Sequence, residues 1–196
     1  MQIDLDLLFT WGATSKDYKK NEVIFNEEEM ANFYYQIIEG YVRMFNSNDE
    51  GKEFTQGYFS EGESFGEPPL FINENYPSTA IAFQDCKIIK LSKDKFLKIL
   101  DEYPSIQKNF LRLMAKRIHK KANTSKDIIN QKPEFRIIAF LNSYKKDECD
   151  GIKEFVPFTR QEIANLTGLR VETVIRELTK MNKDKKVEII NHKLYF

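Results

Sequence analysis

Residues 158–181, FTRQEIANLTGLRVETVIRELTKM, constrain the fold more than any other stretch, because their pattern predicts two short helices joined by a glycine turn. Thr159 and Glu162 are spaced as a capping box, in which each side chain accepts a hydrogen bond from the other residue's backbone N–H. Gly168 can adopt the left-handed backbone at which a helix ends, and apolar residues at helical spacing resume beyond it. The stretch therefore predicts a helix-turn-helix, with an ordinary helical hairpin as the alternative.

A helix-turn-helix places its second helix in the major groove of DNA, so the polar positions of that helix become candidates for base and phosphate contacts. On the second helix these candidates are Arg170, Glu172, Thr173 and Arg176. At the start of the first helix they are Thr159, Arg160 and Gln161, and phosphate is the expected ligand of the first two. Glu172 can accept from a cytosine amino group, and Arg176 can donate to guanine O6 and N7 or hold Glu172 in place. A surface ion pair between Glu172 and Arg176 is the alternative.

The two halves of the chain carry opposite charge. Residues 1–103 hold 10 Lys and Arg against 19 Asp and Glu, a net charge of −9, whereas residues 104–196 hold 20 against 11, a net charge of +9. A basic region attached to an acidic one indicates a module that contacts phosphate and a second module that does not, although a solvated charged surface would give the same count. We therefore expect the second half to bind double-stranded DNA.

Composition and the N-terminal sequence set the broad class of the protein. A hydrophobic content of 41% with 13% aromatic residues is typical of a globular chain. No apolar run approaches membrane-spanning length, and the residues after Met1 lack the basic region of a signal peptide. These features predict a cytoplasmic protein with no membrane partner.

Short runs of β type follow one another between Tyr18 and Leu91: VIF, FYYQII, YVRMF, EFTQGYF, AIAF and KIIKL. Clusters of Asn, Asp, Gly and Glu separate them at short intervals, which is typical of an all-β barrel or jelly roll. A small barrel of this kind can enclose one ligand. A short helix from Lys93 to Asp101 is predicted to follow.

A long helix is predicted from Pro104 to Gln131, because no residue between them breaks a helix. Apolar and small residues recur along it at steps of three or four: Leu111, Met114, Ile118, Ala122, Ser125 and Ile129. Such a seam can pair with a copy of itself, which predicts a parallel homodimer. The alternative is a helix that packs on its own barrel. Phe110 and Leu113 can do so on another face, and both arrangements can hold together.

The C-terminal residues predict a wing, with strands Val187–Ile190 and Lys193–Phe196 around a turn at Asn191 and His192. The fold class is therefore α+β. Residues 1–103 are predicted to form a double-stranded β-helix or jelly roll of cupin-like type, residues 104–131 a dimerisation helix, and residues 132–196 a winged helix-turn-helix.

The order of these elements, the segment EGESFGEPPLFINENYPSTA and the run VETVIR together resemble the CRP/FNR family of bacterial transcription regulators. The run VETVIR is similar to the family pattern [RV]-E-T-[VI]-x-R in the recognition helix. The resemblance implies a homodimer that binds a two-fold-related operator, and it makes RNA polymerase a candidate partner. In members that bind cyclic nucleotides, the Gly-Glu pair matched by Gly66 and Glu67 begins a phosphate-binding cassette, and the Glu binds the ribose hydroxyl. An Arg directly before a Ser neutralises the cyclic phosphate there.

The cassette departs from that pattern where the phosphate would bind. Pro77 stands where the family has the arginine, and Pro68 and Pro69 have no backbone N–H to offer an anion. We therefore predict a degenerate effector pocket that does not bind cyclic AMP. Its residues are Phe65, Gly66, Glu67, Ser78 and Thr79. An uncharged effector and a cassette kept only as a folded connection remain alternatives.

Other chemistries have little support in the sequence. Two cysteines, Cys86 and Cys149, and two histidines, His119 and His192, cannot supply a zinc or iron–sulfur cluster, and no catalytic triad is indicated. We therefore expect no metal, no cofactor and no enzymatic activity, with His119 the single candidate for a haem ligand. Two rival functions stay open: a sensor of a small non-nucleotide molecule, and an adaptor or regulatory subunit that retains the fold without binding DNA.

Overall fold

The computed structural model describes residues 2–129, 132–144 and 153–196, with the side chains of residues 124–129 excepted. The chain divides into two compact units, Met1–His119 and Lys120–Phe196. The side chains of Ser125 and Ile129, the predicted helix end at Gln131, and Cys149 lie outside the described residues.

The first unit is a β-roll of two antiparallel four-stranded sheets, with strand orders β1-β8-β3-β6 and β2-β7-β4-β5. Its strands are β1 Thr14–Tyr18, β2 Val23–Phe25, β3 Phe33–Glu39, β4 Val42–Ser47, β5 Glu53–Phe59, β6 Ser64–Phe65, β7 Thr79–Ala82 and β8 Cys86–Ser92. The jelly-roll prediction is confirmed. Strands β1 and β6 were missed because four of the five β1 residues are exposed and polar, and β6 has only two residues.

Four helices accompany the β-roll: α1 Leu5–Thr10, α2 Pro68–Ile72, α3 Lys93–Glu102 and α4 Pro104–Ile129. Helix α3 buries Phe96, which stacks on Tyr34 with ring centroids 4.5 Å apart. Helix α4 adds Phe110 to the same cluster, 5.3 Å from Phe96. Because these aromatic rings are fully buried, they hold α3 and the first turns of α4 against the sheet.

The second unit is a winged helix-turn-helix. Its elements are α5 Pro133–Tyr144, β9 Phe155–Val156, α6 Arg160–Thr167, α7 Val171–Lys183, β10 Glu188–Ile190 and β11 Lys193–Tyr195. The strands form an antiparallel sheet in the order β10-β11-β9. Asn191 and His192, with φ of 48° and 64°, make the two-residue turn of the wing, as predicted.

Across the described residues, no helix combines the length and the apolar character needed to cross a bilayer. In the β-roll, Cys86 is buried, and burial raises the pKa of its thiol to about 11. At neutral pH this thiol therefore stays protonated, which fits a core residue better than a redox sensor.

Candidate nucleic-acid interface and effector cassette

Helix α6 begins at a capping box. The Thr159 hydroxyl accepts from the Glu162 backbone N–H at 3.2 Å, and Glu162 Oε2 accepts from the Thr159 N–H at 2.6 Å. Gly168 has a left-handed backbone with φ of 68°, and its N–H donates to the Ala164 carbonyl. The predicted start of the first helix and the glycine that ends it are therefore confirmed.

Helix α7 has one buried face and one exposed face. Val174, Leu178 and Met181 are fully buried, at the spacing of one helical stripe. Glu172 and Arg176 lie on the opposite side and are exposed. The core of the unit therefore holds α7 so that its predicted base-contacting side chains are turned toward solvent.

The ion pair between Arg176 and Glu172, the alternative to base contact, is not formed within the described residues. Among the described residues, Arg176 pairs with Glu177, at 3.5 Å from Nε to Oε1, and its side chain is 72% exposed. A pair this long and this exposed contributes little free energy, so the guanidinium can leave it for a base at small cost.

The remaining predicted DNA contacts surround these two side chains. Arg170 is exposed at the N-cap of α7, and Thr173 is half-buried on its first turn. Gln161 is exposed, and its amide donates to Asn165 Oδ1 at 2.9 Å, one turn further along α6. Arg160 is half-buried, and burial lowers the pKa of its guanidinium. In the described part of the chain no carboxylate pairs with Arg160, which leaves its charge available to an anion.

A concave groove of about 540 Å³ runs beside this surface. It is lined by the start of α6, one flank of α7 and the wing, and it includes Thr159, Arg160, Ile175 and Lys193. Cationic side chains from two elements therefore border one groove on the unit that carries the predicted recognition helix.

The effector cassette lies in the interior of the β-roll. Phe65, Glu67 and Ser78 are buried, and Thr79 is half-buried. Gly66 has φ of 73°, and a Cβ built there would lie 2.9 Å from Phe25 Cζ and 3.2 Å from Tyr76 Cε1. Both the backbone conformation and this close approach require glycine.

Aromatic rings fill the space beside the cassette. Phe25 stacks on Tyr76 with ring centroids 3.7 Å apart, and Phe65 lies 5.5 Å from Tyr35 and 6.0 Å from Phe59. Burial raises the pKa of the Tyr35 and Tyr76 hydroxyls. We call these five residues, Phe25, Tyr35, Phe59, Phe65 and Tyr76, the aromatic stack. Phe25 and Tyr76 of this stack lie against Gly66, the residue before Glu67.

Pro77, at the position matched to the family's arginine, belongs to a network of amides and a carboxylate. The Asn46 amide donates to the Pro77 carbonyl and, at 2.7 Å, to Glu27 Oε1. Gln56 donates to Asn46 Oδ1 at 2.6 Å. No cation takes part in the hydrogen bonds described around Pro77, so an anion would meet a carboxylate there instead.

Glu67 has an internal partner. Its Oε2 lies 2.6 Å from Arg117 Nη1, and the Glu67 side chain is completely buried. Arg117 Nη2 also donates to the Ser64 carbonyl at 2.6 Å. The carboxylate matched to the family's ribose ligand is therefore neutralised by an arginine of helix α4.

Helix α4 presents two faces. Phe110 is buried and Leu113 packs against the β-roll core, as predicted for the inner face. On the predicted seam, Leu111 and Ile118 are 71% and 70% exposed. Met114 is half-buried and Ala122 is exposed. The helix thus packs on its own β-roll and also leaves an apolar seam uncovered.

The comparisons with known proteins agree with this architecture. The family model "Cyclic nucleotide-binding domain" matches residues 15–103, and the model "Crp-like helix-turn-helix domain" matches residues 135–195. The cAMP-activated global transcriptional regulator CRP of Pasteurella multocida is 32% identical over 183 residues, which span 85% of this chain and 81% of that protein. The chain belongs to the CRP/FNR family of transcription regulators. Like its CRP/FNR relatives it is a DNA-binding regulator and not an enzyme.

Other relatives and solved structures are similar over most of the chain. The transcriptional activatory protein AadR of Rhodopseudomonas palustris is 24% identical over 177 residues, which cover 88% of this chain and 73% of AadR. The c-di-GMP responsive global regulator CLP of Xanthomonas campestris has a TM-score of 0.83 at 20% identity, over 97% of both chains. FixK2 of Bradyrhizobium japonicum has a TM-score of 0.77 at 19% identity, over 94% of this chain and 92% of FixK2.

Arg117 is the residue that sequence reasoning missed in this CRP/FNR chain, where it counted only as one of several basic residues of the long helix. A signal was available, because Arg117 continues the spacing of Phe110 and Leu113 on the inner face of α4. A charged residue on an apolar face needs a buried partner, and that requirement points to an internal carboxylate.

Proposed function

We propose that the protein is a homodimeric, sequence-specific transcription regulator whose β-roll does not bind cyclic AMP. The exposed Glu172 and Arg176 on α7, opposite its fully buried stripe, carry the proposal of sequence-specific binding. Their side chains offer an acceptor and a forked donor, which are the groups that distinguish bases in the major groove. Arg160, Arg170 and Thr159 would hold the backbone phosphates beside them.

The exposed seam of α4 supports the homodimer. Leu111 and Ile118 are seven residues apart and lie on one stripe of the helix, as in a two-stranded coiled coil. A second copy would cover these apolar side chains. The dimer would act in the cytoplasm, with the β-roll of residues 1–103, the helix of 104–131 and the winged unit of 132–196 as its functional parts.

The filled β-roll supports the loss of nucleotide binding. The aromatic stack occupies the interior, Pro77 replaces the phosphate-binding arginine, and Glu67 is engaged by Arg117. A cyclic phosphate would have to be desolvated without a cation to receive it. A non-nucleotide effector and RNA polymerase are further candidate partners.

Selection from random double-stranded oligonucleotides with the purified full chain tests the DNA proposal. We expect a two-fold-related motif whose half-sites are about 10 base pairs apart, centre to centre. Selection that returns no motif at physiological salt would contradict it and would favour the adaptor function.

Sedimentation tests the dimer. Ile118→Asp should shift the protein toward monomer, because a second copy would have to bury the new carboxylate, while each copy still folds because the side chain is exposed in one copy. Arg112→Gln, on the same helix, is the matched control and should leave the dimer intact. Thermal unfolding with cyclic AMP completes the test, and a stabilising shift would overturn the argument from Pro77.

A further inference from the structure

Ile175 is the exception among the large apolar residues of α7. Val174, Leu178 and Met181 are fully buried in the core of the winged unit. Ile175 is 49% exposed, and it is the only large apolar residue exposed on α7, a helix that is described along its whole length. Its branched side chain is therefore partly open to solvent instead of completing the core.

The stability of α7 does not explain an isoleucine at this position. An exposed helical site favours residues such as alanine, because a β-branched side chain loses rotamer freedom against the preceding turn. The backbone carbonyl of Ile175 accepts from the Thr179 hydroxyl at 2.8 Å, a contact that does not depend on the isoleucine side chain. The exposed part of that side chain is therefore better explained by a partner outside the folded chain.

Ile175 lies beside the two side chains proposed to read bases. Arg176 is the next residue along α7, and Glu172 is three residues before Ile175, which is the spacing of neighbours on a helix surface. All three residues are exposed. Consecutive Cα atoms lie about 3.8 Å apart, and successive base pairs lie about 3.4 Å apart. A helix that brings Arg176 to a base therefore brings Ile175 within about two base pairs of it.

The chemistry of isoleucine restricts what it can recognise on a base edge. A carboxylate accepts hydrogen bonds and a guanidinium donates them, whereas an isoleucine side chain does neither. The one apolar group that a base pair presents in the major groove is the C5-methyl group of thymine. A β-branched side chain has one strongly preferred rotamer in a helix, so it loses little freedom when it contacts that methyl group. The contact would also remove apolar surface of both groups from water.

We infer that Ile175 is a specificity-determining residue that selects a thymine in each operator half-site by packing on its C5-methyl group. The inference rests on the proposed sequence-specific DNA binding and extends it from hydrogen-bonded bases to an apolar contact. The thymine is expected within about two base pairs of the guanine that Arg176 contacts. At that position the protein recognises the methyl group and not the hydrogen-bonding edge of the base.

Removing the methyl group from the DNA tests the contact directly. In the operator obtained by selection, each thymine is replaced in turn by deoxyuridine, which keeps the base pair and lacks only the methyl group. We expect the parent protein to lose about fourfold in affinity per half-site at one position, as for one buried methyl group. At that position Ile175→Ala should bind the thymine and uracil operators equally well.

The matched control is Ile190→Ala, because Ile190 is 50% exposed in the same unit but lies on the wing. This variant should retain the fourfold preference of the parent protein for thymine. Thermal unfolding shows whether each variant is folded. Should Ile175→Ala fail to fold, Ile175→Val, which removes only the terminal methyl group, should still show a smaller preference for thymine than the parent protein.

The methyl group can also be supplied without thymine. With 5-methylcytosine at the same position, the parent protein should bind more tightly than with cytosine, because the C5-methyl group is present again. Ile175→Ala should not distinguish the two operators.

The outcomes separate this inference from the proposed function. A half-site without thymine, or a parent protein that binds every uracil operator as tightly as its thymine form, would overturn the inference and leave sequence-specific binding intact. A preference for thymine that persists unchanged in Ile175→Ala would assign the methyl group to another residue and overturn the inference as well. Selection that returns no motif would refute the proposed function and, with it, the role of Ile175.

Discussion

Two glutamates, one in each unit, occupy matched positions of the CRP/FNR motifs and have opposite surroundings. Glu67 is completely buried and paired with Arg117, whereas Glu172 is exposed on α7, and no ion pair involves it within the described residues. A buried carboxylate must be neutralised inside the protein, while an exposed one keeps its water and can exchange it for a base. The same side chain is therefore used for architecture in the β-roll and, in our proposal, for recognition in the winged unit.

The charge of the two halves supports the same contrast. The acidic first half repels polyanions and the basic second half attracts them. In the first unit the motif residue Glu67 is buried in the core, whereas in the second unit Glu172 and Arg176 are exposed. Substitutions in the core of the first unit should therefore lower stability, whereas substitutions at the exposed residues of the second unit should weaken DNA binding.

The largest effect is expected from emptying the aromatic stack. Phe25→Ala should lower the free energy of unfolding by about 3–5 kcal/mol, because it removes a ring that is 1% exposed and leaves a cavity. Urea denaturation measures the loss. Phe9→Ala, where the ring is 45% exposed, is the control and should cost far less.

The cavity left by Phe25→Ala also tests whether the aromatic rings fill the former ligand space. Indole, a small apolar molecule, should stabilise Phe25→Ala but not the parent protein if the rings fill the former ligand space. Equal losses of unfolding free energy for Phe25→Ala and Phe9→Ala would show that the aromatic stack contributes no more to stability than an exposed ring.

The next effect is expected on the recognition helix. Arg176→Ala should lose about 1–3 kcal/mol of discrimination at one base position, because its forked donor would no longer contact a guanine. Dissociation constants for operators with single base changes measure it. A loss of equal size for every sequence would refute base contact by Arg176.

Arg160→Ala should act differently from Arg176→Ala. It should weaken binding to all DNA sequences alike, because one phosphate contact is lost. The slope of log K against the logarithm of the salt concentration should fall in magnitude by about one. Titrations at several salt concentrations test this. A change in base preference would place Arg160 on a base instead of a phosphate.

The smallest effect concerns the capping box of α6. Thr159→Ala should destabilise the winged unit by about 1 kcal/mol, since the Glu162 N–H loses its acceptor. Thr179→Ala, which removes an exposed hydroxyl that donates to the Ile175 carbonyl one turn back, is the control for thermal unfolding. Equal decreases in unfolding temperature for Thr159→Ala and Thr179→Ala would show that the capping hydrogen bond does not stabilise the winged unit.

Local signals in the sequence predicted much of this molecule. Thr159 with Glu162 placed the start of α6, Gly168 placed its end, and Asn191 with His192 placed the wing turn. Each signal acts within a few residues, because it either gives a backbone N–H its hydrogen-bond acceptor or allows a left-handed backbone turn. Alternation and turn residues likewise indicated most β-roll strands, whereas the polar β1 left no such pattern.

The inner-face position of Arg117 indicates a buried carboxylate, but the sequence does not identify Glu67 as that carboxylate or Tyr76 as the partner of Phe25. Arg117 is 50 residues from Glu67, and Tyr76 is 51 residues from Phe25, so no periodicity connects them. Pro77 predicts loss of the phosphate site, whereas the packing of the aromatic stack depends on how distant side chains meet in the folded core. Local hydrogen bonding and hydrophobic spacing thus specify the elements of this chain, and long-range packing specifies whether a motif residue faces a ligand or the protein itself.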